Sequence, residues 1–103
     1  MNKDRIWLLL DSSQSGGIES HVLQLATGLQ QHNQPVEVIF LTHYGKHPLR
    51  EALINQGICH RSLDGHFNTL RKILRNERPK VLHTHGYKAG IFGRFAAWLT
   101  HIP

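Results

Sequence analysis

Short apolar runs alternate with segments of helical spacing along the whole chain, and this order constrains the fold more than any other feature. Ile6–Leu10 is a continuous apolar run of strand length, and VEVIFL from Val36 is a second with β-branched residues and one exposed-type Glu37. The patterns predict strands near residues 5–10, 36–42, 58–62 and 81–85. Because each strand is followed by a helical pattern, a parallel sheet with helices on both faces and right-handed crossovers is expected.

The helical segments have recognisable ends. Apolar spacing predicts helices from Gly17 to near Asn33, over residues 47–56, from Phe67 to Arg78 and over residues 87–99. Gly57 suits the C-terminal cap of the second helix. The whole pattern predicts one Rossmann-like, three-layer α/β/α domain over residues 1–103. The chain stops at HIP, where the alternation calls for another strand, so we expect a fragment of a longer protein.

Length and composition narrow the class of protein. With 103 residues the chain is long enough for one core but short for a complete α/β enzyme. The lone Cys59 excludes an internal disulfide framework, and no stretch suits a signal peptide or a membrane span, so a cytoplasmic location is expected. The net charge of +5 favours an acidic partner, which could be a phosphorylated small molecule, anionic lipid or nucleic acid.

The loop from Asp11 to Gly17 places a glycine pair where the first helix begins. In an open parallel sheet this loop lies at the carboxyl end of the strand, where ligands bind. Gly16 and Gly17 let a ligand approach the backbone, and the helix N-terminus favours a phosphate. The spacing matches neither the P-loop nor the dinucleotide-binding fingerprint. A tight turn, with Glu19 simply favouring the first helical turn, is the alternative interpretation.

Two histidines lie on the fourth predicted strand. His83 and His85 are two residues apart, so their side chains leave the same face. No further ligand stands nearby in sequence, which disfavours a metal site, and His83 is expected to be a hydrogen-bonded core imidazole. His85 precedes Gly86 at the strand's end, which favours contact with a ligand. Lys88 follows and is expected either to meet a phosphate or to lie in solvent.

The remaining features have structural interpretations. Gly86, Gly90 and Gly93 are expected to let the last helix approach the sheet closely. The basic residues of the third helix could rest on anionic lipid, but a solvated face is favoured because the apolar face is narrow; these are Arg71, Lys72, Arg75 and Arg78. No nucleic-acid motif or aromatic stacking platform accompanies the charge, so nucleic acid is not an expected partner. Core or marginal positions are expected for Cys59, Trp7 and Trp98.

A family resemblance rests on two stretches, SGGIESHVLQLATGLQQHNQPVEVIFL and VLHTHGYKAGIFGRFAAWLTHIP. They resemble the N-terminal domain of retaining GT-B glycosyltransferases of the glycosyl transferase 4 type. That family has a GG-(hydrophobic)-E stretch after its first strand and an H-x-H pair closing a later one. The matching residues here are Gly16, Gly17, Ile18 and Glu19 for the first, and His83, Thr84 and His85 for the second. The resemblance implies that the chain is a truncated N-terminal half of a GT-B fold.

The resemblance implies transfer of a sugar from a nucleotide-diphospho-sugar to a sugar or lipid-linked acceptor, with retention and without a metal or other cofactor. Gly16 and Gly17 would help to neutralise the leaving diphosphate, and His85 would orient the acceptor or the reacting sugar. By the same resemblance, Ile18 and Glu19 are expected to bind the donor phosphate or the substrate. The donor-binding C-terminal domain of the family has no counterpart in these residues, so this chain alone is expected to be inactive. A non-catalytic α/β module that binds a phosphorylated or glycosylated ligand is the alternative.

Overall fold

The structure, a computed structural model, describes residues 4–11, 17–42 and 48–103, with Tyr87 and Lys88 described by their backbone alone. Strands and helices alternate through these ranges. Their bounds are β1 (Ile6–Leu10), α1 (Gly17–Gln31), β2 (Val36–Phe40), α2 (Pro48–Asn55), β3 (Cys59–Ser62), α3 (Phe67–Glu77), β4 (Val81–His85) and α4 (Tyr87–Thr100). The order of elements is the one that the sequence predicts.

The four strands form one sheet in the order β3-β2-β1-β4, and every neighbouring pair is parallel. The predicted parallel sheet is therefore confirmed. β2 ends at Phe40, two residues earlier than predicted, because Thr42 leaves the parallel ladder and bridges Asp64 in the antiparallel sense. At the carboxyl ends Leu10 of β1 is in register with both Phe40 and His85.

Alternate residues of β1 face two separate cores, which establishes the three layers. Trp7 and Leu9 pack with buried residues of α3 and α4, among them Leu70, Leu74 and Ala96. Leu8 and Leu10 pack on the opposite face with buried residues of α1 and α2, among them Val22, Ala26 and Leu53. Because side chains along a strand alternate between faces, a strand buried on both sides has the continuous apolar sequence seen in β1.

The helices end where their sequences indicate. Asn33, Gly57 and Arg78 follow α1, α2 and α3 with φ of 61°, 68° and 47°. Such positive values close a helix, since the left-handed residue turns the chain away and lets late carbonyls find donors. After α3, for example, the Arg78 N–H donates to the Leu74 carbonyl at 2.9 Å.

Glu37 is buried, with only 7% of its surface exposed, although its sequence position suggested an exposed side chain. Its carboxylate lies 3.4 Å from the Arg5 guanidinium and 3.0 Å from Arg61 Nε. Arg61 also donates two hydrogen bonds to Glu77, at 2.7 and 2.8 Å, and lies over the Trp7 ring. We call Arg5, Glu37, Arg61 and Glu77 the Arg61 network. Charge pairing permits the burial of Glu37.

Of the three residues expected in the core or at its margin, Trp98 and Cys59 are exposed, so those two predictions are wrong. Trp7 is fully buried, but Trp98 is 71% exposed on α4 and Cys59 is exposed on β3. Cys59 lies on the edge strand β3, and Trp98 lies on the outer side of α4. No described element packs over either side chain. No described helix is both long and apolar enough to cross a bilayer.

Close approach of α4 to the sheet depends on Gly93. A Cβ built there would overlap the Thr84 side chain and lie 3.0 Å from Leu9 Cδ2. At Gly90 the nearest described atom would be 3.9 Å away, which is an ordinary contact. The expected role in helix packing is therefore confirmed for Gly93, whereas Gly90 does not require the absence of a side chain.

Candidate functional site

The order of the strands in the sheet reverses between β1 and β4: β2 and β3 follow on one side of β1, and β4 lies on its other side. After β1 the chain passes to α1 on one face, and after β4 it passes to α4 on the other. The two connections therefore diverge from neighbouring strands and leave a crevice, which is the usual ligand site in an open parallel sheet. We call this region the switch-point cleft and define it by Gly17, Ile18, His21, His85 and Gly86.

α1 begins at Gly17 on one side of this cleft. A Cβ built at Gly17 would meet no described atom within 4 Å, and the residue does not have a left-handed φ. The missing side chain is thus required neither by packing nor by backbone conformation in the described part of the chain. The first turn of any helix carries N–H groups without an intrahelical partner and the positive end of the helix dipole, which suit an anion. Gly16 lies outside the described residues.

Gly86 joins β4 to α4 on the other side of the cleft. Its φ of 97° is one that residues with a side chain rarely adopt, and a Cβ there would lie 3.7 Å from Ile18 Cδ1. The structure thus brings Ile18 against the end of β4. The first turn of α1 and the end of β4 therefore lie side by side, at the edge of the sheet where the sequence places Gly17 and His85.

Three imidazoles meet beside this contact. The His85 ring lies 4.7 Å from that of His83 and 5.5 Å from that of His21, between centroids. His83 is exposed, so its expected place in the core is wrong. The reason is that β4 is an edge strand, and α1 on that face packs chiefly over β2.

His85 is held in its neutral form. Burial, followed by the nearby His83 and His21, lowers the pKa of His85 to about 4. Its Nε2 atom is buried and has no hydrogen-bond partner among the described residues. Buried polar atoms are nearly always hydrogen-bonded, so an unpaired one on a residue that borders the α1 N-terminus is a candidate for a ligand's hydrogen bond. A neutral imidazole can donate or accept a hydrogen bond there according to its tautomer.

Glu19 lies apart from this group. It is in the first turn of α1 with 4% exposure and lines a cavity of about 120 Å³ between α1 and α2, together with Pro48 and Leu49. Glu19 and His21 are roughly 160° apart around the helix, so they face opposite sides. Glu19 Oε2 has no hydrogen-bond partner within residues 4–11, 17–42 and 48–103. The predicted site residues are thus divided between two sides of α1.

The side chain of Lys88 lies outside the described residues, and its predicted contact with a phosphate stays a prediction, as do the ligand-binding roles of Gly17, Ile18, Glu19 and His85. His21 is a cleft residue that the sequence did not reveal. Its only signal was its place one turn after Gly17 on the side of α1 opposite Glu19. In the described ranges no three His, Cys, Asp or Glu side chains are arranged to hold a metal ion.

Solved structures share this fold. A glycosyltransferase from Rickettsia africae superposes with a TM-score of 0.76 at 17% identity, over 99% of this chain and 28% of that protein. MurG from Acinetobacter baumannii superposes with a TM-score of 0.73 at 20% identity, over 96% of this chain and 33% of MurG. The chain thus spans a third or less of the length of either protein. These similarities confirm the Rossmann-like α/β fold expected of the N-terminal part of a GT-B glycosyltransferase.

Sequence comparison identifies the family. Among curated proteins none matches the chain at a significant level. The family model described as Glycosyltransferase Family 4 matches residues 15–103, which include α1, the strands β2 to β4 and both sides of the switch-point cleft. The chain therefore belongs to Glycosyltransferase Family 4.

Proposed function

We propose that residues 1–103 form the acceptor-side domain of a retaining glycosyltransferase that takes its sugar from a nucleotide-diphospho-sugar and transfers it to a sugar or lipid-linked acceptor. The observation that carries this proposal is the meeting of the α1 N-terminus with the unpaired Nε2 of His85 in one cleft. One side of the cleft suits a diphosphate, and the other offers a neutral hydrogen-bonding group. The family to which the chain belongs supports the reaction class.

The proposed roles of the α1 N-terminus and of His85 follow from their charge. When the bond between the anomeric carbon and the diphosphate breaks, negative charge grows on the leaving oxygen, and helix N–H groups at Gly17 would stabilise it together with the backbone of Gly16. The acceptor oxygen forms the new bond, and its proton passes to the leaving phosphate. His85, neutral with a pKa of about 4, then acts by orienting the acceptor or the reacting sugar and not as a cationic acid.

Other parts of the proposal rest on the family resemblance. Ile18, Glu19 and Lys88 would contact the donor or the substrate, and a separate domain would bind the nucleotide. We propose that transfer requires no metal ion, that it occurs in the cytoplasm and that this domain without a donor-binding partner is inactive. The short span relative to the two superposed proteins is compatible with a further domain.

The proposal is tested with the full-length product of the native gene. It is incubated with UDP-, GDP- and ADP-linked sugars and a panel of sugar and lipid-linked acceptors, and the anomeric configuration of the product is read by NMR. We expect transfer with retention, at least about 100-fold slower in His85→Ala, the order of loss when a preorganised hydrogen-bonding group is removed. The matched variant His32→Ala, at the far end of α1, should keep the parental rate.

Two results would contradict the proposal. Inversion at the anomeric carbon would exclude the retaining mechanism. Binding of nucleotide sugars or glycans without transfer to any acceptor would instead support the non-catalytic module. Unfolding of His85→Ala measured on the same preparation separates loss of the site from loss of the fold.

A further inference from the structure

Two acidic side chains are buried in the described part of the chain, and their surroundings differ. Glu37 is paired with Arg5 and Arg61. Glu19 is more deeply buried, with 4% of its surface exposed against 7% for Glu37, and its Oε2 atom has no hydrogen-bond partner. None of the ion pairs formed within residues 4–11, 17–42 and 48–103 includes Glu19. A charge that leaves water needs a partner, so Glu19 is suited to a ligand that supplies one.

The position of Glu19 on α1 explains its burial. Glu19 is the third residue of α1, and Val22 and Ala26 follow it three and seven residues later. This spacing places all three side chains on one side of the helix. Val22 and Ala26 are fully buried in the core that α1 and α2 share with the sheet. The sequence therefore puts a carboxylate on the core-facing side of α1.

The cavity between α1 and α2 that Glu19 lines has one charged wall, and we call it the Glu19 cavity. Its volume is about 120 Å³, which is below the roughly 300 Å³ of pockets that hold whole small molecules. It therefore suits one functional group of a larger ligand. The other described residues that line it are small or apolar, namely Ser20, Leu23, Pro48, Leu49 and Ala52.

The charge and the walls of the Glu19 cavity select the kind of group. A phosphate would be repelled by the carboxylate. A divalent cation takes several oxygen ligands, and no three metal-binding side chains come together in the ranges that the structure describes. A primary ammonium carries one positive charge and three donors on an apolar stem. Its charge matches Glu19, and its stem matches Leu23 and Leu49.

The arginine of α2 is directed elsewhere. Arg50 Nη2 donates to Ser62 Oγ at 3.0 Å, and the guanidinium carbon lies 5.4 Å from the centroid of the Phe40 ring. Phe40 and Ser62 are the last residues of β2 and β3. The side chain of Arg50 thus lies over the ends of these strands and is not among the described residues that line the Glu19 cavity.

We propose that the Glu19 cavity binds a primary ammonium group of the acceptor. The ammonium pairs with the Glu19 carboxylate, and the aliphatic carbons next to it pack on Leu23 and Leu49. The assignment rests on the proposed sugar transfer and narrows its acceptor to one that bears an amine. Of the two substrates, only the acceptor suits Glu19, because the carboxylate would repel the diphosphate of the donor.

The distance across α1 sets where the amine lies in the acceptor. Glu19 and His21 face opposite sides of α1, and His21 contacts His85 in the switch-point cleft. A helix with its side chains is about 10–12 Å across, so the ammonium and the reacting hydroxyl are separated by roughly this distance. A short alkyl chain or one further sugar ring spans it. The amine is therefore remote from the hydroxyl that receives the sugar.

The test compares 5-aminopentyl and pentyl glycosides of the same acceptor sugars, with the full-length product of the native gene and the nucleotide sugars named above. The two tails differ in one charged group, and an N-acetylated aminopentyl glycoside controls for size. We expect kcat/KM to be at least about tenfold higher for the aminopentyl glycoside than for either neutral one, the order of a hydrogen bond to a charged group.

Matched variants locate the preference. Glu19→Gln keeps the size of the side chain and removes its charge, so the ratio of kcat/KM between aminopentyl and pentyl glycosides should fall to about one. The ratio is the readout because a change common to all acceptors cancels. Glu51→Gln removes an exposed carboxylate from the first turn of α2 and should keep the parental ratio. Without acceptor, Glu19→Gln should unfold at the parental temperature or above it, because this carboxylate has no partner to lose.

Binding is measured apart from transfer, so that this proposal and the proposed sugar transfer fail separately. n-Pentylamine and n-pentanol are titrated into the chain, and the methyl groups of Leu23 and Leu49 are followed by NMR. We expect saturable shifts with pentylamine that Glu19→Gln abolishes, and binding of pentanol at least about tenfold weaker.

Equal kcat/KM for aminopentyl and neutral glycosides would overturn the proposal and leave the proposed sugar transfer standing. Equal shifts with pentylamine and pentanol, or shifts with neither, would also overturn it, since the cavity would then select no charge. Binding of pentylamine without transfer to any acceptor would support the ammonium site and contradict the sugar transfer. A clear drop in the unfolding temperature of Glu19→Gln would assign the carboxylate to the fold and overturn the site.

Discussion

The Arg61 network and the switch-point cleft hold polar side chains in opposite ways. In the Arg61 network the buried Glu37 carboxylate is ion-paired with two arginines, and Arg61 donates two hydrogen bonds to Glu77. Arg61 Nε lies 3.0 Å from Glu37 but makes no hydrogen bond, so its pairing is by charge. In the switch-point cleft His85 Nε2 is buried without a hydrogen-bond partner among the described residues, and the neighbouring rings are also imidazoles.

This difference separates residues that maintain the fold from residues available to a ligand. A paired charge lowers the free energy of the folded state relative to leaving its partner alone in the interior. A buried donor or acceptor without a partner raises the free energy of the folded state, and a bound ligand that supplies the missing hydrogen bond would offset this cost. Substitutions in the Arg61 network should therefore change stability, and substitutions in the cleft should change the proposed sugar transfer.

The largest expected change in stability is for Arg61→Met. The substitution leaves Glu37 with Arg5 alone at 3.4 Å and removes both bonds to Glu77. We expect the free energy of unfolding to fall by about 3 kcal/mol, the lower end for breaking a buried ion pair, because Arg61 is partly exposed. Urea unfolding measures this. Arg75→Met, an exposed arginine of α3, is the control and should stay within about 0.5 kcal/mol of the parent. An equal loss of stability in Arg61→Met and Arg75→Met would show that the Arg61 network contributes no more than an exposed arginine.

A smaller loss of stability is expected for Gly93→Ala, and Gly90→Ala is its matched control. The new methyl group would overlap Thr84 and press on Leu9, so we expect a loss of about 2 kcal/mol from overpacking. Gly90→Ala on the same helix meets only an ordinary contact and should be neutral or stabilising by up to about 1 kcal/mol. Thermal unfolding of Gly93→Ala and Gly90→Ala measures this difference in stability. Equal stability of the two variants would show that α4 can move away from the sheet.

The smallest expected effect concerns the ionisation of His85. Its pKa of about 4 lies below the ordinary value of 6.5, so the unfolded chain binds a proton more readily than the folded one. This contribution to stability is fully present above pH 6.5 and is lost as the pH falls towards 4. NMR titration of the His85 ring should give a midpoint well below 6.5. His21→Gln should raise the pKa of His85, because one of the two nearby imidazoles is removed. A midpoint near 6.5 in the parent would contradict the neutral, desolvated site.

The sequence predicted the elements because their causes are local. The apolar run Ile6–Leu10, the turn residue Gly57 and the helix-ending Pro79 act within a few neighbours along the chain. Glu37 was misassigned because the arginines that permit its burial are Arg5 and Arg61, far away along the chain. The place of each strand in the sheet likewise depends on pairings between distant segments.

The candidate site was predictable only in part, for the same reason. Gly17 and His85 could be assigned to one edge of the sheet, since the carboxyl ends of parallel strands meet there. The contact between His21 and His85 depends on how α1 is rotated about its axis over the sheet, which no local pattern specifies. The exposure of His83 and Trp98 was also missed, because it depends on which helices pack over β4 and α4, and this is decided by segments distant in sequence.

The most direct test of the cleft is Gly17→Val in the full-length product of the native gene, with transfer and unfolding measured on the same preparation. The matched control is Gly28→Val on the same helix, since a Cβ at either glycine meets no described atom within 4 Å. We predict that Gly17→Val lowers transfer at least about 100-fold, because the side chain occupies space that the diphosphate needs. Both variants should unfold within about 1 kcal/mol of the parent, and Gly28→Val should transfer sugar at the parental rate. Normal unfolding together with parental transfer by Gly17→Val would contradict the account and reduce the glycine to a turn residue.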